Sequence, residues 1–311
     1  MRVLVYGAGV LGSYLAHVLV NGGNETTVLA RGKRFEELSK NGLIIRHYVQ
    51  CKTTVDKVNV IDKLTKEDVY DLIFVVMQCT QLQAVLPILA ENNSQHIVFV
   101  GNNTDGQATY DYIQKNSSFE KKIAFGFQST GGRRENGRVV CVRARGQMEL
   151  GGLNGQLSWR ELIDKAFENT RYKLTYIDNM DAWHKSHIAL IMPLAYATYA
   201  CDGNLRKAAK NKKLLKQIVN ATIEGYKVIE AAGYEPTPKK EAKLICDKSK
   251  VYYLMLKIVT ATPIGKLAIS DHAMSAVGEM VALEEALNKL KQKVKLETPN
   301  LDALQVYMKK L

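Results

Sequence analysis

Residues 6–16, YGAGVLGSYLA, constrain this chain more than any other stretch of its 311 residues. Gly7, Gly9 and Gly12 stand in G-x-G-x-x-G spacing, directly after the apolar run RVLVY and at the head of a helical run over 10–20. In that setting the spacing specifies a strand, a tight turn and a helix, with a second strand within about twenty residues. Gly7 permits the turn, Gly9 lets a pyrophosphate approach the backbone, and Gly12 lets the helix pack closely. The helix start at Val10 and Leu11 turns its free N–H groups toward the anion. A glycine-rich turn without a ligand is the competing reading.

The first half of the chain continues the same alternation. Runs at 2–6, 26–30, 72–77 (LIFVVM) and 96–100 (HIVFV) read as strands buried on both faces, as in a parallel sheet covered by helices. Helices are expected over 10–20, 34–40, 80–91 and 107–114. This βαβα rhythm predicts an α/β fold with a doubly wound, Rossmann-type sheet. From 122 to 150, shorter alternating runs with glycine turns predict an antiparallel extension that closes the domain. After Asn179 the pattern is helical, with segments at about 207–232, 271–294 and 301–311. Leu214, Ile218, Tyr226 and Ile229 fall on one stripe of the first of these. Two domains follow: a Rossmann domain over 1–177, and an all-helical domain over 178–311 for substrate binding and dimerisation.

At 46% hydrophobic and 24% charged, the chain can bury a substantial core. Its five cysteines are scattered and form no C-x-x-C pair, which fits a reducing compartment better than disulfides or zinc. Residues 3–20 superficially suggest a signal peptide. Only Arg2 precedes them, however, glycines interrupt them, and no small-residue cleavage site follows. No transmembrane run is present, and a cytoplasmic protein is expected. The net charge of +12 includes a cluster at Lys207, Lys210, Lys212, Lys213 and Lys216. It can be read as a nucleic-acid surface, or as solvated helix faces that draw in anionic ligands. No aromatic residues interleave with these lysines, which favours the second reading.

The end of the second strand selects the dinucleotide. NAD sites usually carry Asp or Glu there, bonded to the ribose 2′-hydroxyl. This chain has VLARGKR, placing Arg31, Lys33 and Arg34 where an acid would stand. Cations point to the 2′-phosphate of NADP, which Arg31 can grip as a bidentate fork.

With these motifs in place, the chain resembles the ketopantoate reductase (2-dehydropantoate 2-reductase) family over nearly its whole length. The resemblance rests on VLVYGAGVLGSYLA, the ARG after strand two, the VGNNTDG loop, a Trp-x-Lys helix entry and the closing ETPNLDAL. It implies a Rossmann domain, a helical domain, and hydride transfer from NADPH to the keto carbon of a 2-oxo acid. It also implies a role for Asn102 near nicotinamide and substrate, and a catalytic lysine at the head of a helix. The family pattern there is W-x-K-L-x-x-N-x-x-x-N-P, against WHKSHIALIMP in this chain. Anchored on Trp183, the family lysine is Lys185; anchored on Pro193, the slot falls to His184. The two helical asparagines become apolar residues near Ile188 and Met192. Met77 replaces a lysine after the third strand, and Ile269 an acid, with Asp271 and His272 close by.

The residues of WHKSH also carry chemistry of their own. Asp178 or Asn179 can N-cap a helix whose first turns hold His184, Lys185 and His187. At about 100° per residue, His184 and His187 project some 60° apart, while Lys185 lies about 100° from His184. Reduction of a keto group needs a proton donor and a cation beside the developing alkoxide, and lysine supplies both. Histidine would donate under mildly acidic conditions or beside a carboxylate such as Asp271. The bland readings are a solvent-facing Lys185, a structural His184, and a core or outer-layer His187 and His272. No metal is expected, because the histidines lack ligand spacing.

The sequence therefore predicts an NADPH-dependent reductase of a small anionic 2-oxo acid. Gly7, Gly9, Val10, Leu11, Gly12, Arg31 and Asn102 are expected at the cofactor. Lys185 or His184 is expected in catalysis, with Asn102, His187, Asp271 and His272 at the substrate. The alternative is an NADP-binding sensor whose altered helical positions have removed the chemistry.

Overall fold

The computed structural model describes residues 1–308, without the side chains of residues 143–146. The chain forms two compact units, Met1–Met180 and Asp181–Leu311.

The first unit begins with β1 (Arg2–Tyr6), whose Val3, Leu4 and Val5 have no exposed surface and so need cover on both faces. Along the chain follow α1 (Val10–Asn21), β2 (Glu25–Leu29), α2 (Lys33–Asn41), β3 (Leu43–His47), β4 (Lys52–Asp56) and β5 (Asn59–Ile61). Next come β6 (Leu72–Val76), α3 (Cys79–Leu82), α4 (Leu86–Glu91), β7 (His96–Val100), α5 (Gly106–Asn116), β8 (Lys122–Glu135), β9 (Arg138–Gly151), α6 (Arg160–Phe167) and β10 (Lys173–Tyr176). The strands form one sheet in the order β4-β3-β9-β8-β7-β6-β1-β2-β5, with β10 added to β9. From β8 to β5 every pairing is parallel. The chain leaves β1 toward β2 on one side and later returns to β6 on the other. β1 and β6 therefore flank the switch point at which such sheets bind ligands, beyond the carboxyl ends of the strands.

The four expected strands and the Rossmann topology are present. The segment at 80–91 is not one helix but two, because Pro87 at the start of α4 has no N–H with which to continue a helix. Residues 122–150 form a long hairpin rather than short strands. β8 and β9 span fourteen residues each, and the reversal falls at Asn136 and Gly137, with φ of 49° and 76°. Gly131 and Gly132 are within the strand. A side chain at Gly132 would place its Cβ 2.1 Å from the Val140 carbonyl oxygen, so this glycine allows close approach rather than a turn.

The second unit is helical: α7 (Met180–Ala200), α8 (Leu205–Lys210), α9 (Lys212–Ala231), α10 (Lys239–Asp247), α11 (Ser249–Ala261), α12 (Pro263–Gly265), a π turn (Lys266–Ser270), α13 (Asp271–Ser275), α14 (Val277–Val294) and α15 (Pro299–Gln305). α7 and α9 pack so closely that a Cβ at Gly225 would sit 2.9 Å from that of Ala189. The stripe of Leu214, Ile218, Tyr226 and Ile229 is buried in this core, with Leu283, Leu287, Leu301 and Leu304. The segment expected at 207–232 divides at Asn211, whose side chain caps α9 by accepting from Leu214 N–H at 3.0 Å. The segment at 271–294 divides at Ala276. Of the helix expected at 301–311, α15 covers the first part, and residues 309–311 lie outside the described residues. No helix among the described residues is long and apolar enough to cross a membrane.

Gly132→Ala should cost about 3 kcal/mol, because its φ of 150° and its neighbouring carbonyl both refuse a side chain. Gly155→Ala, with φ of 86° but open space around it, should cost only about 1–2 kcal/mol. Urea unfolding midpoints of the two variants check the difference.

Candidate functional site

In the glycine loop the three glycines have three different reasons to be there. A Cβ at Gly7, where φ is 125°, would lie 2.2 Å from the Val76 carbonyl oxygen of β6. A Cβ at Gly12 would lie 1.9 Å from the Gly7 carbonyl oxygen. These two let strand, turn and helix close on one another. Gly9, by contrast, has nothing within 4 Å of its Cβ position and faces open space. It is the N-cap of α1, supplies no side-chain cap, and is followed by no acid in the first turn. The positive end of the helix, with Val10 and Leu11, is thus left for an external anion.

The cations after β2 separate sharply. Arg31 is exposed, and its charge opposes the rise in the Tyr6 pKa that burial causes. Arg34 is only 6% exposed, and burial lowers its pKa while the nearby Glu37 carboxylate raises it. Its guanidinium donates to the Ala8 carbonyl at 3.3 Å, Ser13 Oγ at 3.2 Å, Glu37 Oε2 at 3.1 Å and the Gly137 carbonyl at 2.9 Å. Arg34 is therefore a clamp behind the glycine loop. It is not the free cation that its place in VLARGKR suggested, because four acceptors already hold it. Gln128 adds a second hold, donating from Nε2 to the Leu11 carbonyl at 3.2 Å.

The loop GNNTDG follows β7. Asn103 Oδ1 accepts the Asp105 N–H at 3.0 Å, and Asp105 Oδ1 caps α5 by accepting from Ala108 N–H at 2.9 Å. Asn102 and Asn103 are both buried and line a recess with Val75, Met77, Leu82 and Phe99. Met77, which stands where the resemblance implied a lysine, makes part of that wall apolar.

In the second unit, α7 starts at Met180 and presents its polar residues on separate faces. Lys185 is 17% exposed, paired with Asp181 one turn back, and its Nζ lies 4.5 Å from the centroid of the Tyr234 ring. Around the helix, His187 stacks on Trp183 at 4.9 Å and 15°, and the buried His184 meets the same indole edge-on at 5.6 Å. His187 keeps some surface, yet desolvation by the packing around its ring pushes its pKa down to about 3. Repulsion from His184 and His272 adds to the shift. Three histidines from two distant segments thus share one neighbourhood, and His187 is neutral there. His272 has 44% of its side chain exposed and contacts Glu279 through Nε2 and Oε2 at 3.1 Å, with Glu279 almost wholly buried.

Glu279 has no counterpart in the sequence expectations. It lies seven residues from His272 across the break at Ala276, a spacing that no regular helix would bring together. Asp271 opens α13 beside His272. The positions of the lost asparagines, Ile188 and Met192, belong to the apolar core, and Ile269 packs against it. Among the described residues, no three His, Cys, Asp or Glu side chains are arranged to hold a metal.

The topology and the glycine loop define the first unit as a Rossmann-type dinucleotide-binding domain, here followed by a helical unit. The first unit belongs to the ketopantoate reductase family, an oxidoreductase family: residues 3–155, all within that unit, match the model for ketopantoate reductase PanE/ApbA. Among curated proteins, no sequence matches the chain. Several solved structures share the fold across both units. 2-Dehydropantoate 2-reductase from Geobacter metallireducens GS-15 is 16% identical, with a TM-score of 0.77, covering 100% of this chain and 99% of that one. The corresponding enzyme from Methylococcus capsulatus is 17% identical, with a TM-score of 0.75 and coverage of 100% and 96%. D-mandelate dehydrogenase, in a ternary structure with NADH and anilino(oxo)acetate, is 18% identical, with a TM-score of 0.76 and coverage of 100% and 97%.

Arg34→Ala should lower stability by about 3 kcal/mol, since it strips buried carbonyls of a charged donor, whereas Arg31→Ala should change it by less than about 0.5 kcal/mol. Urea denaturation of both variants reads this contrast.

The His187 proton site makes a separate prediction. Its folded pKa lies below the unfolded value near 6.5, so the stability linked to it is complete above pH 6.5 and is lost as pH falls toward 3. His187→Phe keeps an aromatic ring on Trp183 without that proton site. The variant should therefore lose about 2 kcal/mol less stability than the native chain between pH 7 and pH 5, as measured by urea unfolding at the two values.

Proposed function

We propose that this protein is an NADPH-dependent reductase of a small anionic 2-oxo acid. The observation that carries the reading is the open face of Gly9 at an uncapped helix start, with exposed Arg31 and no carboxylate at the end of β2. A pyrophosphate fits the first, through the N–H groups of Val10 and Leu11, and a ribose 2′-phosphate fits the second. Gly7 and Gly12 keep the turn tight enough for this approach. Buried Asn102 supplies a polar group at the carboxyl end of β7, where the nicotinamide and the substrate are placed in this reading.

NADPH, when bound, supplies the hydride that ends on the keto carbon. The protein must then deliver a proton to the keto oxygen and steady the negative charge that grows there. Lys185 is assigned both tasks. Asp181 pairs with its ammonium and holds it in place, and the Tyr234 ring lies against the cation. His184 is a positioning residue beside Trp183 in this scheme, and neutral His187 backs the same indole. Exposed His272, supported by buried Glu279 and flanked by Asp271, is assigned to the substrate. The product is the 2-hydroxy acid. Because apolar Ile188 and Met192 replace polar positions of the family pattern, the substrate need not be ketopantoate. The same replacement supports the second reading, a protein that binds NADPH without turning it over.

Fluorescence titration with NADPH and NADH, followed by ketopantoate and a panel of 2-oxo acids, tests the proposal. NADPH should bind at least tenfold tighter than NADH, and Arg31→Ala should remove most of that preference. Lys185→Ala should lower kcat by about 100-fold or more while changing the NADPH dissociation constant less than about twofold. Tight NADPH binding with no oxidation by any acid would leave the sensor; failure to bind either nucleotide would end both readings.

A further inference from the structure

We propose that the outer face of α11 is the contact surface of a homodimer, covered in solution by α11 of a second copy of this chain.

α11 is apolar on two opposite faces. Tyr252, Leu256 and Thr260 are buried, and α8, α9 and α10 pack against the helix. At about 100° per residue, Val251, Leu254, Met255 and Ile258 form a stripe on the opposite side. They are 43%, 57%, 48% and 65% exposed. Ile264 of α12 is 44% exposed and stands at the end of that helix. There α12 folds so closely against α11 that a Cβ at Gly265 would lie 2.3 Å from the Val259 carbonyl oxygen. A helix on the surface of a monomer ordinarily turns polar residues to water, and one that is apolar all round is a buried one. The only charged side chains on α11 are Lys250 and Lys257.

Two observations choose a second copy as the cover. The first is area. At roughly 90 Å² each, the five exposed side chains present about 450 Å² of apolar surface per copy; a standard interface buries about 800 Å² on each partner, and a homodimer interface is about 65% apolar. The stripe therefore supplies most of the apolar core that such a dimer needs. The second is the placement of charge. Lys250 and Lys257 project about 20° apart, along one edge of the stripe, and no polar side chain lies within it. A two-fold axis running along the helix sets the lysines of the two copies on opposite edges, at the wet rim of the contact. Apolar surface then meets apolar surface, and like charges stay apart. A lipid surface fits less well, because helices that lie in a membrane interface typically carry Trp or Phe among their apolar residues, and this stripe has neither.

Sedimentation equilibrium over about 1–100 µM tests the proposal. The native chain should be dimeric. Ile258→Glu should raise the dimer dissociation constant by about 30-fold or more while its far-UV circular dichroism stays native. Val55→Glu, at a residue of the first unit that is also 65% exposed, should leave the constant within about twofold. If Ile258→Glu fails to fold, Leu254→Ser carries the same test, with an expected rise of about tenfold. A native chain that stays monomeric throughout that range would overturn the proposal. So would a folded Ile258→Glu or Leu254→Ser chain that dimerises as tightly as the native one. A monomeric native chain that floats with phosphatidylserine vesicles would also overturn it, and would assign the face to lipid.

Discussion

The carbonyl oxygen of Gly7 lies where a side chain at residue 12 would begin, and the carbonyl of Val76 lies where one at residue 7 would begin. These two close approaches set the distance between β1, the turn and α1, and most of the first unit depends on that distance. Because β1 pairs with both β2 and β6, the turn stands at the point where the strand order reverses. Any side chain there would push the helix start away from the sheet and the open face of Gly9 with it. The remaining machinery of the unit is arranged around the ends of neighbouring strands: Arg31 after β2, Met77 after β6 and the asparagine pair after β7.

The turn is also held from behind. Arg34 bonds the Ala8 carbonyl and Ser13 from one side, and Gln128 bonds the Leu11 carbonyl from another. Burying a guanidinium is costly unless its donors are satisfied, and here carbonyls, a hydroxyl and Glu37 satisfy them. One consequence is a division of labour between two arginines three residues apart. Arg34 has used its hydrogen bonds within the fold and fixes the loop's shape. Arg31 has its charge on the surface, where a ligand's anion can meet it.

Much of the first unit was legible in sequence because its signals are local. Strands buried on both faces read as unbroken apolar runs, and G-x-G-x-x-G directly follows one of them. What was not legible depends on distant partners. β3 and β4 are short and partly exposed, so their apolar content falls below a clear strand pattern. The role of Arg34 turns on Gly137, 103 residues away at the hairpin tip, and nothing near VLARGKR announces it. Helix breaks at Asn211 and Ala276 carry neither proline nor glycine. The second break is what brings Glu279 to His272, a pairing hidden from any periodicity. The histidines of WHKSH were visible as a group, but their separation from Lys185 around α7 becomes chemistry only once Trp183, Asp181 and Tyr234 have been placed.

The polar groups near the candidate residues fall into two states. In the second unit Lys185 is paired with Asp181 and His272 with Glu279. A group so paired is held in one position by its neighbour. In the first unit Asn102 Oδ1 and Asn103 Nδ2 are buried without partners among the described residues. Such atoms bear a desolvation cost that no hydrogen bond offsets. The apolar Ile188 and Met192 belong to the core of the helical unit, so these places in the family pattern are filled by packing rather than by hydrogen bonding.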